Sequence, residues 1–304
     1  MGAHGGPRPL RNEDQNAIPA RAVGGTEMYI DADDGNTYLL HMFTEPGSYT
    51  LNVTDSGLVE YLVVAGGGGG SVNAAPGGGG GAGEAINDSD IISANTYSIQ
   101  VGSGGIGGFY DFDASTITRV SEPGSNSTFG IVEANGGSVS SPSVSNRFAS
   151  RIGGTSGSGN IGGDGVRLSI DSVNNATTNF GGGGGGQSEL GKGASGTTAT
   201  ALSGPDGGAG IASIVTGSEQ YYGGGGGGGR AYARATGRGL GGLGGGGDGA
   251  DTSRESGDSA IPNTGGGGGG AGRAFGRSVE GGNGGSGIVI VRYRVLRSEY
   301  DANQ

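Results

Sequence analysis

The chain contains no cysteine and no tryptophan, and only 9 of its 304 residues are proline. The absence of cysteine excludes disulfide bonds, thiolate nucleophiles and cysteine-ligated metals. The shortage of proline excludes collagen, in which abundant proline accompanies glycine at every third position. Hydrophobic residues make up 32% of the chain, which is enough for only a small conventional core. Backbone hydrogen bonds must therefore hold much of the fold.

Positive charge and long apolar runs are also scarce. The formal net charge is −11 at pH 7, and Lys192 is the only lysine. Nucleic acids and anionic membranes attract positively charged surfaces, so we expect no nucleic-acid partner. No apolar run approaches the about 18 residues of a membrane span, and we expect no membrane insertion. The first 23 residues lack the apolar core of a secretory signal peptide.

Glycine is what the sequence has in abundance, with 79 residues. This is about a quarter of the chain, against an average usage of about 7%. A free polyglycine stretch behaves as a flexible linker. Here, however, runs of similar length recur along one chain, and a β-strand pattern follows the last of them. These runs are Gly66 to Gly70, Gly77 to Gly81, Gly181 to Gly186, Gly223 to Gly229, Gly244 to Gly247 and Gly265 to Gly270.

An ordered form is available to such runs. The polyproline II helix has about three residues per turn and a rise of roughly 3.1 Å, and it directs every backbone N–H and C=O group outward. Only glycine allows several such backbones to pack side by side. We therefore predict a bundle of polyglycine II helices. Its structural glycines include the first residue of each run, namely Gly66, Gly77, Gly181, Gly223, Gly244 and Gly265.

Short segments with strand propensity flank the glycine runs. Tyr49, Leu51 and Val53 alternate with polar residues, which is typical of a strand with one buried face. No segment favours a helix, because glycine costs up to about 1 kcal/mol per helical residue relative to alanine. The predicted fold class is all-β, with a small antiparallel, jelly-roll-like β-sandwich that brackets the polyglycine II bundle and essentially no α-helix. The predicted strands are 27–32, 37–43, 48–53, 58–65, 97–101, 127–132 and 287–293.

We predict four parts along the chain. Residues 1–24 form an extended polar arm, which is either a disordered tail or a segment that docks onto a neighbouring subunit. Residues 25–135 and 286–296 form the β-sandwich, which includes the first glycine runs within 66–83. Residues 136–285 form the glycine-rich domain with variable loops, and residues 297–304 form a C-terminal tail.

Motifs for catalysis and for cofactor or metal binding are weak. His4 lies in the arm and His41 lies within a predicted strand, and neither has an evident acid or nucleophile arranged beside it. The segment 246–251 resembles the start of a calcium-binding nonapeptide repeat, but Ser253 occupies the position of the large apolar residue. Lys192 lacks the Ser or Thr that follows the lysine of a P-loop. We therefore expect no enzyme, no catalytic residue, no cofactor and no metal site.

Aromatic residues and arginines cluster beside the later glycine runs, and both are enriched at binding hot spots. They are our candidates for receptor binding. An alternative is that these aromatic side chains cover the edges of the helix bundle while the arginines bond exposed carbonyl groups. The candidate residues are Tyr221, Tyr222, Arg230, Tyr232, Arg234 and Phe275.

Four segments carry a resemblance to a known family. They are YLVVAGGGGGS at 61–71, TYSIQVGSGGIGG at 96–108, NSTFG at 126–130 and GGNGGSGIVIVRY at 281–293. Together with the run-rich middle of the chain, they resemble the glycine-rich domain of tail-fibre and virion proteins of tailed bacteriophages, over roughly residues 45 to 296. The middle is also similar in kind to the tip adhesins of T-even-like phages, in which polyglycine II helices form a sandwich and the loops between them contact the host receptor.

The resemblance implies a non-enzymatic virion protein of the tail-fibre or adhesin type, assembled in the host cytoplasm and released by lysis without a signal peptide. Its expected partners are other virion proteins, in a homo-oligomer or larger assembly, and a host surface glycan or outer-membrane protein. One alternative is a capsid decoration protein, head fibre or filament subunit that assembles through the arm. Another is an ice- or surface-binding protein, although irregular loops argue against the flat face it needs.

Overall fold

The computed structural model describes residues 20–32, 34–72, 76–140, 152–171, 176–193, 195, 204–231, 238–252, 255–274 and 276–295. Within these ranges the chain forms strands and extended segments and no helix. No helix there could cross a membrane. Most of the predicted arm, the C-terminal tail, and Tyr232, Arg234 and Phe275 lie outside the described residues.

The strands are short and distributed along the whole chain. In chain order they are β1 (Arg21–Val23), β2 (Thr26–Asp31), β3 (Thr37–Phe43), β4 (Gly47–Asp55), β5 (Gly57–Val64), β6 (Ala85–Ile92), β7 (Asn95–Val101), β8 (Phe109–Asp111), β9 (Thr116–Arg119), β10 (Ser127–Phe129), β11 (Val132–Ala134), β12 (Val166–Asp171), β13 (Ala176–Phe180), β14 (Ile211–Ser213), β15 (Gln220–Tyr222), β16 (Val279–Glu280) and β17 (Ile288–Val295).

Two antiparallel five-stranded sheets form the predicted β-sandwich. Their strand orders are β1-β4-β7-β10-β11 and β2-β3-β17-β5-β6. The core lies between them, where Leu51 and Ile99 of the first sheet pack with Val63 and Val291 of the second. Strand β17, near the end of the chain, pairs with both β3 and β5. The glycine-rich middle is therefore inserted between strands of one sheet, as the sequence predicts.

The central strands of the second sheet, β3, β17 and β5, are buried on both faces. The β14–β15 hairpin folds over its outer face, where Val215 and Tyr222 pack against Leu40, Leu62 and Ile290. Arg292 donates from Nη1 to the carbonyl oxygens of residues 214 and 215, at 2.9 and 3.0 Å, and from Nη2 to Glu60 at 2.6 Å. Burial on both faces explains why β5 and β17 are apolar at nearly every position, since alternation requires one solvated face.

Each of the seven predicted segments contains a strand of the structure, but one segment was not divided where the structure divides it, and β1, β6, β8, β9 and β12 to β16 were not predicted. The segment 127–132 contains two strands, β10 and β11, joined by a turn at Gly130, whose φ is +56°. Strand β6 was not predicted, because its sequence AINDSDII carries polar residues typical of a turn. It forms the edge of the second sheet, where Asp88 and Asp90 lie toward solvent and charged residues discourage further strand pairing.

The glycine runs form the predicted polyglycine II bundle. In the first run, the N–H groups of Gly66 and Gly69 donate to residues 125 and 122 of the same neighbouring segment. The next two N–H groups in each turn donate to two other segments, so every neighbour is met again after three residues. This is the three-residue period of the polyproline II helix. The three accepting segments are 122–125, 282–285 and 78–81.

Each central run is surrounded by six neighbours. Run 77–84 donates hydrogen bonds to three of them and accepts hydrogen bonds from the other three, at N···O distances of 2.8 to 3.0 Å. Run 223–230 is surrounded in the same way. The extended segments therefore form a hexagonally packed bundle in which neighbouring backbones bond to one another directly. The six neighbours of run 77–84 are 65–71, 135–138, 153–157, 181–186, 223–229 and 265–271.

The six glycines predicted to be structural meet two constraints. A Cβ atom on Gly66, Gly77 or Gly181 would lie closer than 3.0 Å to a carbonyl oxygen of a neighbouring segment. Gly223, Gly244 and Gly265 have φ values of +75°, +104° and +67°, which L-amino acids with a side chain rarely adopt. These three residues turn the chain into a run, and the others allow the backbones to approach.

Substitution of a central glycine tests the packing. A Cβ on Gly226 would collide with the carbonyl oxygen of Gly268, whereas a Cβ on Gly108 would meet a side-chain atom of Val72 at 3.1 Å. We expect Gly226→Ala to lower the free energy of unfolding by about 3 kcal/mol, the upper part of the overpacking range. Gly108→Ala should change the free energy of unfolding by less than about 1 kcal/mol. It is a matched control, because replacing glycine by alanine restricts the unfolded chain equally at both positions. Urea unfolding measures both, and equal midpoints would contradict close backbone packing.

His41 makes the stability of the sandwich dependent on pH. Its side chain is fully buried, Nδ1 donates to the carbonyl oxygen of Gly24 at 2.8 Å, and Nε2 accepts from the Tyr293 hydroxyl at 3.2 Å. Burial lowers the pKa of His41, and the bond to Gly24 and the charge of Glu27 oppose this only in part. The folded chain therefore binds fewer protons than the unfolded chain near this pKa, so stability falls as the pH drops below about 6.5.

We expect the free energy of unfolding to decrease between pH 7 and pH 5, and His41→Gln to flatten this decrease. His4→Gln, in the arm, is the control and should keep the decrease of the unsubstituted chain. Denaturant unfolding at a series of pH values provides the measurement. An unchanged pH profile in His41→Gln would refute the role of His41.

Candidate functional site

The bundle has two ends, which can be identified from the glycine runs that connect to the sandwich strands. Run 66–71 leaves the sandwich after β5, and run 77–84 returns to it before β6. Val72, which follows the first run, and Pro76, which precedes the second, therefore lie at the end of the bundle far from the sandwich. We call this end the loop pole. The β8–β9 hairpin lies there as well, since the chain leaves β7 through residues 102–108 and returns to β10 through residues 121–126.

Hydrogen bonds between runs show which end of each run lies near the sandwich and which lies at the loop pole. Gly83 donates to Gly265 at the sandwich end, and Gly77 donates to Ala271 at the loop pole. Gly229 donates to Gly77, and Gly181 donates to Gly229, which places both of these donors at the loop pole.

The connections at the two ends differ in length. At the sandwich end several segments are joined by short turns, such as 157–160, 187–189 and 261–264, and the longer β14–β15 hairpin also lies there, packed on the sandwich. At the loop pole lie the β8–β9 hairpin, strands β12 and β13, and the described ends of two further connections, Ala231 with Arg238 and Ala274 with Gly276. Most of the long connections between described segments therefore begin and end opposite the sandwich.

The structure separates the predicted receptor-binding residues. Tyr221 and Tyr222 precede run 223–229, and Arg230 follows it. Seven residues of polyglycine II helix span roughly 22 Å, so the tyrosines and Arg230 lie at opposite ends of the bundle. Tyr221 is exposed beside the sandwich, whereas Tyr222 is buried in the core under the β14–β15 hairpin, and burial raises the pKa of its hydroxyl.

Arg230 is buried at the loop pole and pairs with the adjoining segment. Its Nη2 lies 2.7 Å from Oδ1 of Asp251, and its Nε donates to the carbonyl oxygen of the same residue. Arg238 similarly contacts Asp248, at 2.5 Å. Both arginines therefore bond neighbouring segments, as the alternative interpretation of the sequence expects. The other three candidates, Tyr232, Arg234 and Phe275, lie outside the described residues, but the chain on either side of them is at the loop pole.

One feature of the loop pole was not predicted. Strands β16, β8 and β9 form a three-stranded sheet, and its hairpin exposes Phe112, Ile117 and Val120. Of these side chains, Ile117 and Val120 line a pocket of about 100 Å³. The sequence contains a signal for this hairpin in residues 109–120, FYDFDASTITRV. This stretch has no glycine, is rich in aromatic and β-branched residues, and separates the glycine-containing segments 102–108 and 121–126. The pocket is lined by Ser71, Val72, Ile117, Arg119, Val120, Ser121, Val139 and Ser140.

Arg119 connects the hairpin to the rest of this end. Its Nε donates to the carbonyl oxygen of Gly107 at 2.9 Å, and its Nη2 lies 3.7 Å from Oε1 of Glu280 on β16. The guanidinium group also lies 5.9 Å from the centre of the Phe109 ring. The positive charge of Arg119 is therefore matched by a carboxylate. The side chains of Asp111, Asp113 and Glu122 add three negative charges near the pocket, and exposed Arg277, beside the Ser278 hydroxyl that accepts from the N–H of Phe112, adds one positive charge.

The arrangement is suited to binding by contact. Among the described residues, no group of three or more His, Asp or Glu side chains could hold a metal ion. Among the described arginines at the loop pole, Arg119, Arg230 and Arg238 pair with carboxylates or carbonyl groups. What this end presents to solvent is a set of connections held by a rigid backbone lattice, with one apolar pocket beside acidic side chains.

The sequence of the chain matches a known protein family. The model of a family described as a glycine-rich domain matches residues 44–294, which include the sandwich from β4 onward and all the glycine runs. No curated protein matches the chain.

Substitution of Arg230 tests whether it is structural. Arg230→Met should lower the free energy of unfolding by about 1–3 kcal/mol, because it removes a buried charged partner and leaves the bonds to Asp251 unmade. Arg238→Met, which removes a partly exposed arginine, should cost no more than about 1 kcal/mol. Thermal or urea unfolding compares them. If neither substitution changed the free energy of unfolding measurably, Arg230 would not hold the two segments together.

Proposed function

The chain belongs to a family of glycine-rich domains. We propose that it is a bacteriophage virion protein of the tail-fibre or adhesin type. In this proposal the polyglycine II bundle is a rigid scaffold, and the loop pole recognises the host surface. The observation that carries the proposal is that most of the long connections begin and end opposite the sandwich, whereas the β14–β15 hairpin at the other end is packed on the sandwich.

The other end of the molecule suits attachment to a particle. Ala20, where the described chain begins, and Val295, where it ends, both line a cleft of about 260 Å³ at the end of the sandwich far from the bundle. The two ends of the described chain therefore lie at the same surface. An attachment there would direct the loop pole away from the particle.

A rigid scaffold favours recognition because it reduces the conformational entropy that the loops lose on binding. Binding by a loose loop costs the ordering of that loop, whereas connections whose ends are held in a lattice have lost part of this freedom on folding. In the hexagonal bundle, both ends of each such connection are hydrogen-bonded to neighbouring segments. The partners we propose are a host surface glycan or outer-membrane protein at the loop pole, and other virion proteins at the opposite end.

The cleft also supports a second candidate function. A capsid decoration protein, head fibre or filament subunit would use the same arm and cleft for assembly, and contact with the host would be incidental. In that case deletion of residues 2–19 would abolish concentration-dependent assembly, while host adsorption would not involve the protein.

Location on the particle and competition for adsorption distinguish the two functions. We expect antibodies against residues 231–238 to label tail or fibre tips in immunogold electron microscopy of intact virions. We also expect the purified chain to bind host cells and to reduce phage adsorption when added in excess. Label spread over the capsid, together with no competition, would refute the adhesin and favour the assembly role.

A further inference from the structure

Apolar exposure at the loop pole is concentrated in the β8–β9 hairpin. Val120 is 72% exposed, and Phe112 and Ile117 are also exposed within the same short segment. Other exposed aliphatic residues, such as Ile152 and Leu190, lie on different outer segments of the bundle. Single apolar residues at a surface are ordinary, whereas several beside a pocket are typical of an interaction site.

The pocket beside this hairpin offers few free polar groups. At its buried end the hydroxyls of Ser71 and Ser140 are hydrogen-bonded to each other, and the Ser71 hydroxyl also accepts from the N–H of Gly78 at 2.9 Å. Arg119 is engaged by Gly107 and Glu280. A sugar would bury hydroxyl groups here without partners, at a cost in free energy. The walls, from Val72, Ile117, Val120 and Val139, suit an apolar group.

The volume of the pocket limits the size of that group. A cavity of about 150 Å³ accepts a benzene ring. This pocket, at about 100 Å³, is smaller. It therefore suits a branched aliphatic side chain, such as that of valine, leucine or isoleucine, better than an aromatic ring.

Charge around the pocket indicates what should adjoin the aliphatic group. Asp113 and Glu122 are exposed, Asp111 is half-buried, and the chain as a whole has a formal charge of −11. Complementary charge favours a partner that is basic at this point.

We propose that the hairpin pocket, lined by Val72, Ile117, Val120 and Val139, receives an aliphatic side chain of a partner protein that carries lysine or arginine beside it. This inference rests on the proposed function and deepens it, because it selects a protein receptor over a glycan. Phe112 and the acidic side chains form the surrounding contact surface.

A titration tests the pocket without the host. The probes are the peptides Lys-Leu-Lys and Glu-Leu-Glu and the sugar methyl glucoside, added to the full chain with labelled valine and isoleucine methyl groups. We expect Lys-Leu-Lys to shift the resonances of Val72, Ile117 and Val120, and the other two probes to shift them at least severalfold less. Equal shifts with all three probes, or no shift with Lys-Leu-Lys, would overturn the assigned chemistry.

Cell binding then tests the partner class. Val120→Asp should weaken binding of the full chain to host cells by about tenfold or more, as expected for a central apolar contact. Ile91→Asp on the sandwich edge is the matched control, since Ile91 is 71% exposed, and it should bind like the unsubstituted chain. Binding should be lost after protease treatment of the cells and survive periodate oxidation of their glycans.

The outcomes separate the two proposals. Binding lost with periodate but kept after protease would mean a glycan receptor, which overturns this inference and leaves the adhesin function standing. Equal binding by the Val120 and Ile91 variants would also overturn it. If Lys-Leu-Lys occupies the pocket but the unsubstituted chain binds no host cell, the pocket chemistry stands and the adhesin function fails.

Discussion

Hydrogen bonds between the backbones of neighbouring polyglycine II segments are the interaction on which the structure depends. Each central run bonds to six neighbours, and each bond requires a neighbouring backbone to approach where a Cβ atom would otherwise lie. Glycine loses the most conformational freedom on folding, so a single run would not order by itself. The lattice offsets that cost because every residue of a central run can use its donor and its acceptor.

The β-sandwich supplies what the lattice lacks. A glycine run has no side chain to distinguish one neighbour from another, whereas strands such as β5 and β17 have side chains that set their register. Because the runs that adjoin the sandwich, such as 66–71 and 77–84, continue from paired strands, the position of their ends and their direction are defined. The β14–β15 hairpin adds to this by packing Val215 and Tyr222 on the sandwich.

This division of roles produces a molecule with two distinct ends. The backbone lattice continues the direction of the sandwich strands across the bundle, so that most of the long connections lie at one end and both ends of the described chain lie at the other. The proposed recognition surface is therefore a consequence of topology. Its apolar pocket lies where Val72 and Val139 end two adjoining segments and the β8–β9 hairpin covers them.

The sequence by itself determined the all-β class, most sandwich strands and the polyglycine II form of the runs, because strand patterns and glycine content are local properties. Strand β3 was predicted with the bounds it has, 37–43. Only the tertiary structure decided which runs are neighbours, that Tyr222 and Arg230 are buried at opposite ends, and that a pocket forms beside Val120. The reason is physical: identical glycine runs encode no partner, so their neighbours follow from the register of distant strands.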